Sequence, residues 1–118
     1  MLDQRSVLII DDESDLCQLL KSYLMRKNYD VHIAHTLEDG MNIVKTLHPS
    51  MVFLDNNLPD GIGWKLAPFL ANEYPDMQIN FVSAFDSQVP NMPPASKYTV
   101  IEKPISFVDL EQRVFGVA

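Results

Sequence analysis

Cysteine and long apolar stretches are what this sequence has least of. Its single cysteine, Cys17, cannot form an internal disulfide or the usual multi-cysteine metal site. Cys17 falls within a helical pattern, where we interpret it as a small buried side chain. No apolar run approaches the roughly 20 residues that span a bilayer, and residues 1–5 lack the pattern of a secretory signal. We therefore expect a cytoplasmic protein without membrane insertion.

Basic residues are also scarce. Nine Lys and Arg stand against 16 Asp and Glu, which gives a formal net charge of −7. Such a surface is poorly suited to anionic phosphate backbones, so we expect no direct nucleic-acid binding. The composition, 47% hydrophobic and 21% charged residues, suffices for an ordinary core. We expect residues 1–118 to form one globular domain.

Short apolar runs alternate with segments of helical spacing. The runs are rich in β-branched residues and predict five buried strands, at residues 6–10, 31–35, 51–54, 79–82 and 98–101. Helices are predicted from Ser14 for about 14 residues, from Thr36 until Pro49, over 64–72 and over 107–115, with Ser14, Thr36 and Ser106 as candidate caps. This order implies an α/β fold with a parallel sheet, helices on both faces and right-handed crossovers.

The regular order fails between the fourth and fifth strands, where a helix is expected. Residues 84–97 contain Pro90, Pro93 and Pro94. A proline inside a helix costs about 3 kcal/mol, so the segment predicts a loop with at most one or two short turns.

Polar side chains collect where the predicted strands end, at the edge where parallel α/β sheets bind ligands. They are Asp11, Asp12, Asp55, Ser83 and Lys103. Three carboxylates at one edge repel each other unless a cation lies among them, and an all-oxygen set suits Mg²⁺. Taken singly, each residue has a structural explanation, such as a solvated acidic turn at a helix N-terminus. Their joint placement at one edge favours a magnesium site.

These residues also carry a family resemblance that covers essentially the whole chain. The acidic pair Asp11-Asp12, the segment from Leu54 to Pro59, Ser83-Ala84 and Glu102-Lys103-Pro104 resemble, in this order, the motifs of two-component response regulator receiver domains. The resemblance implies a flavodoxin-like (βα)5 doubly wound sheet with strand order 2-1-3-4-5.

The resemblance also implies a function. Asp55 would be the phosphoacceptor, taking a phosphoryl group from a histidine kinase or a histidine phosphotransfer protein. Mg²⁺ would be held by Asp12, Asp55 and the backbone carbonyl of Asn57, with Asp11 acting through water. Lys103, the Ser83 hydroxyl and the backbone N–H of Ala84 would stabilise the phosphoryl oxygens. The chain would then control an output domain or protein partner, with no enzymatic activity beyond its own phosphorylation and dephosphorylation.

The expected switch departs from the family pattern. The family places an aromatic side chain three residues before the lysine, where this sequence has Val100. Tyr98 shares the strand parity of Val100, so it would occupy a neighbouring position on the same face. With the proline-rich segment 84–97, this difference leads us to expect signalling through a rearranged loop.

Three other functions compete with this interpretation. A phosphohydrolase would use Asp55 as a transient nucleophile, but the second acid such enzymes carry two positions on is replaced by Asn57. A degenerate receiver would act as a phosphorylation-independent binding module. A flavin-binding electron carrier shares the sheet order, but its phosphate would face an acidic rim.

The remaining singled-out residues are expected to be structural. His32, His35 and His48 lie far in sequence from the acidic set. Trp64 is expected to pack against or half-cover a helix face near the site. Phe85 is a candidate for shielding an aspartyl phosphate from water.

Overall fold

Five parallel strands form the central sheet. The computed structural model describes residues 5–84 and 88–116. The strands are β1 (Ser6–Ile10), β2 (Asp30–Ala34), β3 (Met51–Asp55), β4 (Gln78–Ser83) and β5 (Tyr98–Glu102). Their order in the sheet is β2-β1-β3-β4-β5, with every neighbouring pair parallel. This is the predicted flavodoxin-like order, and each strand lies within two residues of its predicted position.

Helices connect these strands. They are α1 (Ser14–Arg26), α2 (Leu37–Leu47), α3 (Ala67–Glu73) and α4 (Phe107–Asp109), and α4 continues as a π-helical segment, Leu110–Val114. A 3-10 turn, Gly63–Leu66, precedes α3, which therefore begins later than the spacing predicted. Pro68 lies in the first turn of α3, where a missing N–H removes no intrahelical hydrogen bond. None of the helices in the described residues is both long enough and apolar enough to cross a membrane.

Two of the three predicted caps are confirmed. The Thr36 side chain accepts a hydrogen bond from the Asp39 N–H, and that of Ser106 accepts one from the Asp109 N–H. The predicted cap at Ser14 is wrong, because Ser14 is already the first helical residue and the capping position is Glu13. The Glu13 side chain makes no capping hydrogen bond, and the Glu13 N–H donates to Oδ1 of Asp11 at 2.9 Å.

Apolar side chains cover both faces of the sheet. Successive residues of a strand point to opposite faces, so Leu8 and Ile10 join the core beneath α2 and α3. Val7 and Ile9 join the core beneath α1 and the π-helical segment that follows α4. The sheet is thus covered on both faces, as is usual for a parallel sheet.

Residues 88–97 contain no helix, as the prolines predicted. Val89 and Met92 nevertheless pack against the core beneath α2 and α3, so this stretch of loop takes over part of the covering role of a helix. Phe85, the candidate shield, lies outside the described residues.

Candidate functional site

The acidic residues converge because β1 and β3 are neighbours. Ile10 is in register with Leu54, so Asp11 and Asp12 after β1 stand beside Asp55 at the end of β3. One carboxylate oxygen from each of the three aspartates lies within 4.8 Å of the others. Asp11 and Asp55 are only 2% and 5% exposed, whereas Asp12 is open to solvent. The predicted acidic cluster is therefore present as a compact group with one open side.

Lys103 reaches the same group from the end of β5. Its Nζ lies 3.2 Å from Oδ2 of Asp11, 3.6 Å from Oδ1 of Asp55 and 3.5 Å from Oε1 of Glu13. The backbone N–H of Lys103 donates to the carbonyl of Ser83 at 2.7 Å, which anchors the end of β5 beside that of β4. Burial alone would lower the pKa of the Lys103 ammonium, but the charges of Asp11 and Asp55 outweigh it and raise the pKa.

The Asp55 carboxylate titrates abnormally. Burial, followed by the charge of Asp11, raises its pKa from 3.8 to about 6, although Lys103 and the Asn56 N–H favour the ionised form. Asn56 donates that backbone N–H to Oδ1 of Asp55 at 2.9 Å. One ammonium group thus offsets only part of the charge of three clustered carboxylates.

The donor set fits a hard divalent cation. All three grouped ligands are carboxylate oxygens, the kind that Mg²⁺ and Ca²⁺ prefer. Oδ2 of Asp11 is buried and accepts no well-formed hydrogen bond, even with Lys103 nearby. A buried anionic oxygen in this state gains from a cation, so the residues present suit a metal site.

A tight turn shapes the loop after Asp55. The Gly63 N–H donates to the Asn56 carbonyl at 2.8 Å, and a Cβ on Gly63 would lie 2.0 Å from the backbone oxygen of Asp55. Only glycine fits there. Trp64 follows and is 3% exposed, with its Nε1–H donating to the Leu54 carbonyl at 3.0 Å. Trp64 therefore packs in the core, which is the first of its two expected roles, and its hydrogen bond fixes the end of β3.

The other predicted site residues lie at the same edge of the sheet. Ser83 is buried as the last residue of β4, and Ala84 follows it in an exposed bend. Asn57 is exposed in a short hairpin formed by Asn57–Leu58 and Gly61–Ile62, two residues beyond Asp55. The fold thus gathers every predicted site residue at the carboxyl ends of β1, β3, β4 and β5.

His35 contacts the site and was missed by sequence reasoning. Its Nδ1 lies 2.8 Å from the backbone carbonyl of Asp11, which also accepts from Sγ of Cys17 at 3.4 Å. Burial raises the pKa of the Cys17 thiol to about 11, so it is an inert packing group. The position of His35 near Asp11 could have been inferred from the strand order. β2 is the neighbour of β1, so a residue that follows β2 lies beside the residues that follow β1.

Comparison with known proteins identifies the family. The sequence model described as the response regulator receiver domain matches residues 7–115. The chain therefore belongs to the family of response regulator receiver domains, signalling modules of two-component systems.

Solved structures agree with this assignment. A two-component response regulator from Clostridium difficile is 26% identical, with a TM-score of 0.80 over 91% of this chain and 89% of that one. A CheY-like receiver domain protein from Methanospirillum hungatei JF-1 is 24% identical and has a TM-score of 0.81, over 93% and 90% of the two chains. A Burkholderia pseudomallei response regulator, solved with a phosphorylated aspartic acid, a calcium ion and citrate, is 19% identical, with a TM-score of 0.76 over 92% and 65%. The last two likenesses concern the fold.

Proposed function

We propose that this chain is a phosphoacceptor that receives a phosphoryl group on Asp55 from the phosphohistidine of a histidine kinase or a histidine phosphotransfer protein. The observation that carries the proposal is the setting of Asp55. Its carboxylate lies at a strand end with two further aspartates within 4.8 Å and the Lys103 ammonium at 3.6 Å. A carboxylate nucleophile can attack an anionic phosphoryl group only where positive charge screens the approach.

Several residues at the carboxyl ends of the strands would take part in the transfer. An Asp55 carboxylate oxygen bonds to phosphorus as the phosphorus–nitrogen bond to the donor imidazole breaks, and the imidazole leaves with the bonding electrons. Lys103 would neutralise one phosphoryl oxygen, while the Ser83 hydroxyl and the Ala84 N–H would donate hydrogen bonds to others.

Asp11, Asp12, Asp55 and the Asn57 carbonyl are the proposed magnesium ligands, with Asp11 acting through water. When bound, Mg²⁺ would neutralise charge on the phosphoryl oxygens. The Burkholderia pseudomallei relative, solved with a phosphorylated aspartic acid and a calcium ion, supports this pairing of modified carboxylate and divalent cation.

The proposal extends to the chain as a whole. Residues 1–118 would act as a single cytoplasmic receiver domain that controls an output domain or protein partner. Its only chemistry would be its own phosphorylation and the loss of that phosphoryl group.

Phosphoramidate provides a direct test, because its phosphorus–nitrogen bond resembles that of phosphohistidine. Incubation with phosphoramidate and Mg²⁺ should add one phosphoryl group per chain, measured by intact mass, whereas p-nitrophenyl phosphate should not be turned over. Sustained ester hydrolysis would favour a phosphohydrolase. Absence of any mass gain in folded, Mg²⁺-binding protein would favour the degenerate receiver, the alternative that Val100 and the helix-free segment 88–97 support.

A further inference from the structure

Asp60 connects the loop after Asp55 to a neighbouring helix. Its Oδ1 accepts the Leu37 N–H at 2.8 Å and its Oδ2 accepts the Glu38 N–H at 3.0 Å. Both are first-turn amides of α2, which lack intrahelical acceptors. These two hydrogen bonds hold the pKa of the exposed Asp60 carboxyl below its usual value. Thr36 already caps the Asp39 N–H of the same helix, so Asp60 supplies a second, separate attachment.

The hairpin that carries Asp60 is short and closely fitted. Asn57 pairs with Ile62 and Leu58 with Gly61, so Pro59 and Asp60 form a two-residue turn. Gly61 has φ +155°, and a Cβ there would lie 3.1 Å from Cδ1 of Leu37. The hairpin therefore touches the start of α2 through both hydrogen bonds and close packing.

The start of α2 contacts both loops that carry the acidic cluster. On the side of Asp11, Nδ1 of His35, just before α2, lies 2.8 Å from the backbone carbonyl oxygen of Asp11. On the side of Asp55, the Asp60 hairpin begins at Asn57. The Gly63 N–H donates to the Asn56 carbonyl and so closes the loop that contains the hairpin. The start of α2 thus lies between the loop that carries Asp11 and Asp12 and the loop that follows Asp55.

We propose that Asp60 is a positioning residue for the cation site: its carboxylate holds the hairpin against α2 and thereby sets where the Asn57 carbonyl stands relative to Asp12 and Asp55. This inference rests on the proposed function. Asp60 itself would contact neither the cation nor the phosphoryl group. Its effect would be transmitted through Leu58 and Pro59, the two residues between it and Asn57.

The test compares Asp60→Asn with Thr36→Ala in the full chain. Both variants weaken the capping of α2, but only Asp60→Asn also weakens the attachment of the hairpin, because asparagine keeps one acceptor oxygen and replaces the other with an NH2 group that cannot accept the second amide. Mg²⁺ is titrated while the NMR shifts of the Asp12 and Asn56 amides are followed. Changes to residues that support metal ligands cost roughly 10–100-fold in affinity, so Asp60→Asn should weaken Mg²⁺ binding about tenfold. Thr36→Ala should leave Mg²⁺ affinity unchanged. Equal losses in both variants, or no loss in either, would overturn the proposal by reducing Asp60 to a helix cap.

Wild-type protein gives an independent measurement if Asp60→Asn does not fold. Coupling between two interactions is reciprocal, so Mg²⁺ must strengthen the Asp60 contacts by the factor by which they strengthen Mg²⁺ binding. Saturating Mg²⁺ should slow hydrogen exchange at the Leu37 and Glu38 amides about tenfold and leave the Thr36-bound Asp39 amide unaffected. Equal slowing at all three amides, or none, would contradict the proposal.

Failure of the proposed function has a different signature. Wild-type protein that binds no Mg²⁺, or binds it without ever gaining a phosphoryl group on Asp55, would contradict that function. The Asp60 variants and the exchange measurement instead report on Mg²⁺ binding alone, without phosphorylation.

Discussion

The Nζ of Lys103 lies 3.2 Å from Oδ2 of Asp11, a carboxylate that is only 2% exposed. The distance from Nζ to Oδ1 of Asp55 is longer, at 3.6 Å. Lys103 is thus the counter-ion of the buried carboxylates of Asp11 and Asp55.

Removing this ammonium should destabilise the metal-free protein. Lys103→Met leaves the buried Asp11 carboxylate without its counter-ion, and deleting one partner of a buried pair costs roughly 3 kcal/mol. Urea denaturation in EDTA at pH 7 should show a free energy of unfolding lower by about that amount, and saturating Mg²⁺ should restore part of it. An unchanged unfolding midpoint in EDTA would contradict the electrostatic role assigned to Lys103.

The raised pKa of Asp55 predicts that its effect on the free energy of unfolding depends on pH. The pKa of Asp55 is about 6 in the folded chain and 3.8 in an ordinary exposed setting such as the unfolded chain. Between these two pH values the folded state therefore binds more protons than the unfolded state. The contribution of Asp55 to stability therefore falls as pH rises through this window. Asp55→Asn should stabilise the metal-free protein at pH 7 and have little effect at pH 4, as measured by denaturant titration. Asp76→Asn, an exposed aspartate at the opposite edge of the sheet, is the matched control. An Asp55→Asn effect of equal size at both pH values would show that burial does not hold the proton on Asp55.

Glycine is required at position 63. A Cβ there would lie 2.0 Å from the backbone oxygen of Asp55, so Gly63→Ala must displace the loop and should cost about 3 kcal/mol in stability. It should also slow phosphorylation of Asp55. Gly40→Ala is a useful comparison, since its Cβ would meet the flexible Cδ1 of Ile10 at 2.6 Å inside a helix that favours alanine. Similar thermal melts for the two variants would refute the steric argument.

Phosphorylation should alter hydrogen exchange between residues 84 and 105. Ser83 immediately precedes this segment and Lys103 lies near its end, and Lys103 would move toward the phosphoryl oxygens. The segment carries no helix over residues 88–97, and Tyr98 is 46% exposed with its ring 5.7 Å from that of Phe81. We expect altered exchange there in protein phosphorylated with acetyl phosphate. Unchanged exchange would locate the output surface elsewhere.

The spacing of apolar residues and the positions of the prolines sufficed to predict most of the secondary structure. The short run from Val7 to Ile10, rich in β-branched residues, indicated a strand buried on both faces, and Pro90, Pro93 and Pro94 argued against a regular helix. The π-helical segment Leu110–Val114 was not predictable, because apolar spacing does not distinguish a π turn from an α turn over so few residues.

The site was predictable only where one residue type carries the chemistry. Aspartates and a lysine are distinctive when they follow several neighbouring strands, although each of them taken singly has a structural explanation. Asp60 and His35 were missed because their contacts are with backbone groups of residues distant in the chain. Ser14 was misassigned as a cap because the helix begins one residue earlier than the spacing indicated, with Glu13 at the capping position.

The central claim is that Asp55 accepts a phosphoryl group in a reaction that requires a divalent cation. Intact-mass spectrometry after incubation with acetyl phosphate tests it most directly, with and without Mg²⁺ and beside Asp55→Asn. We predict a gain of one labile phosphoryl group that appears only with Mg²⁺ and never in Asp55→Asn. The same gain in Asp55→Asn, or an equal gain in EDTA, would contradict the account.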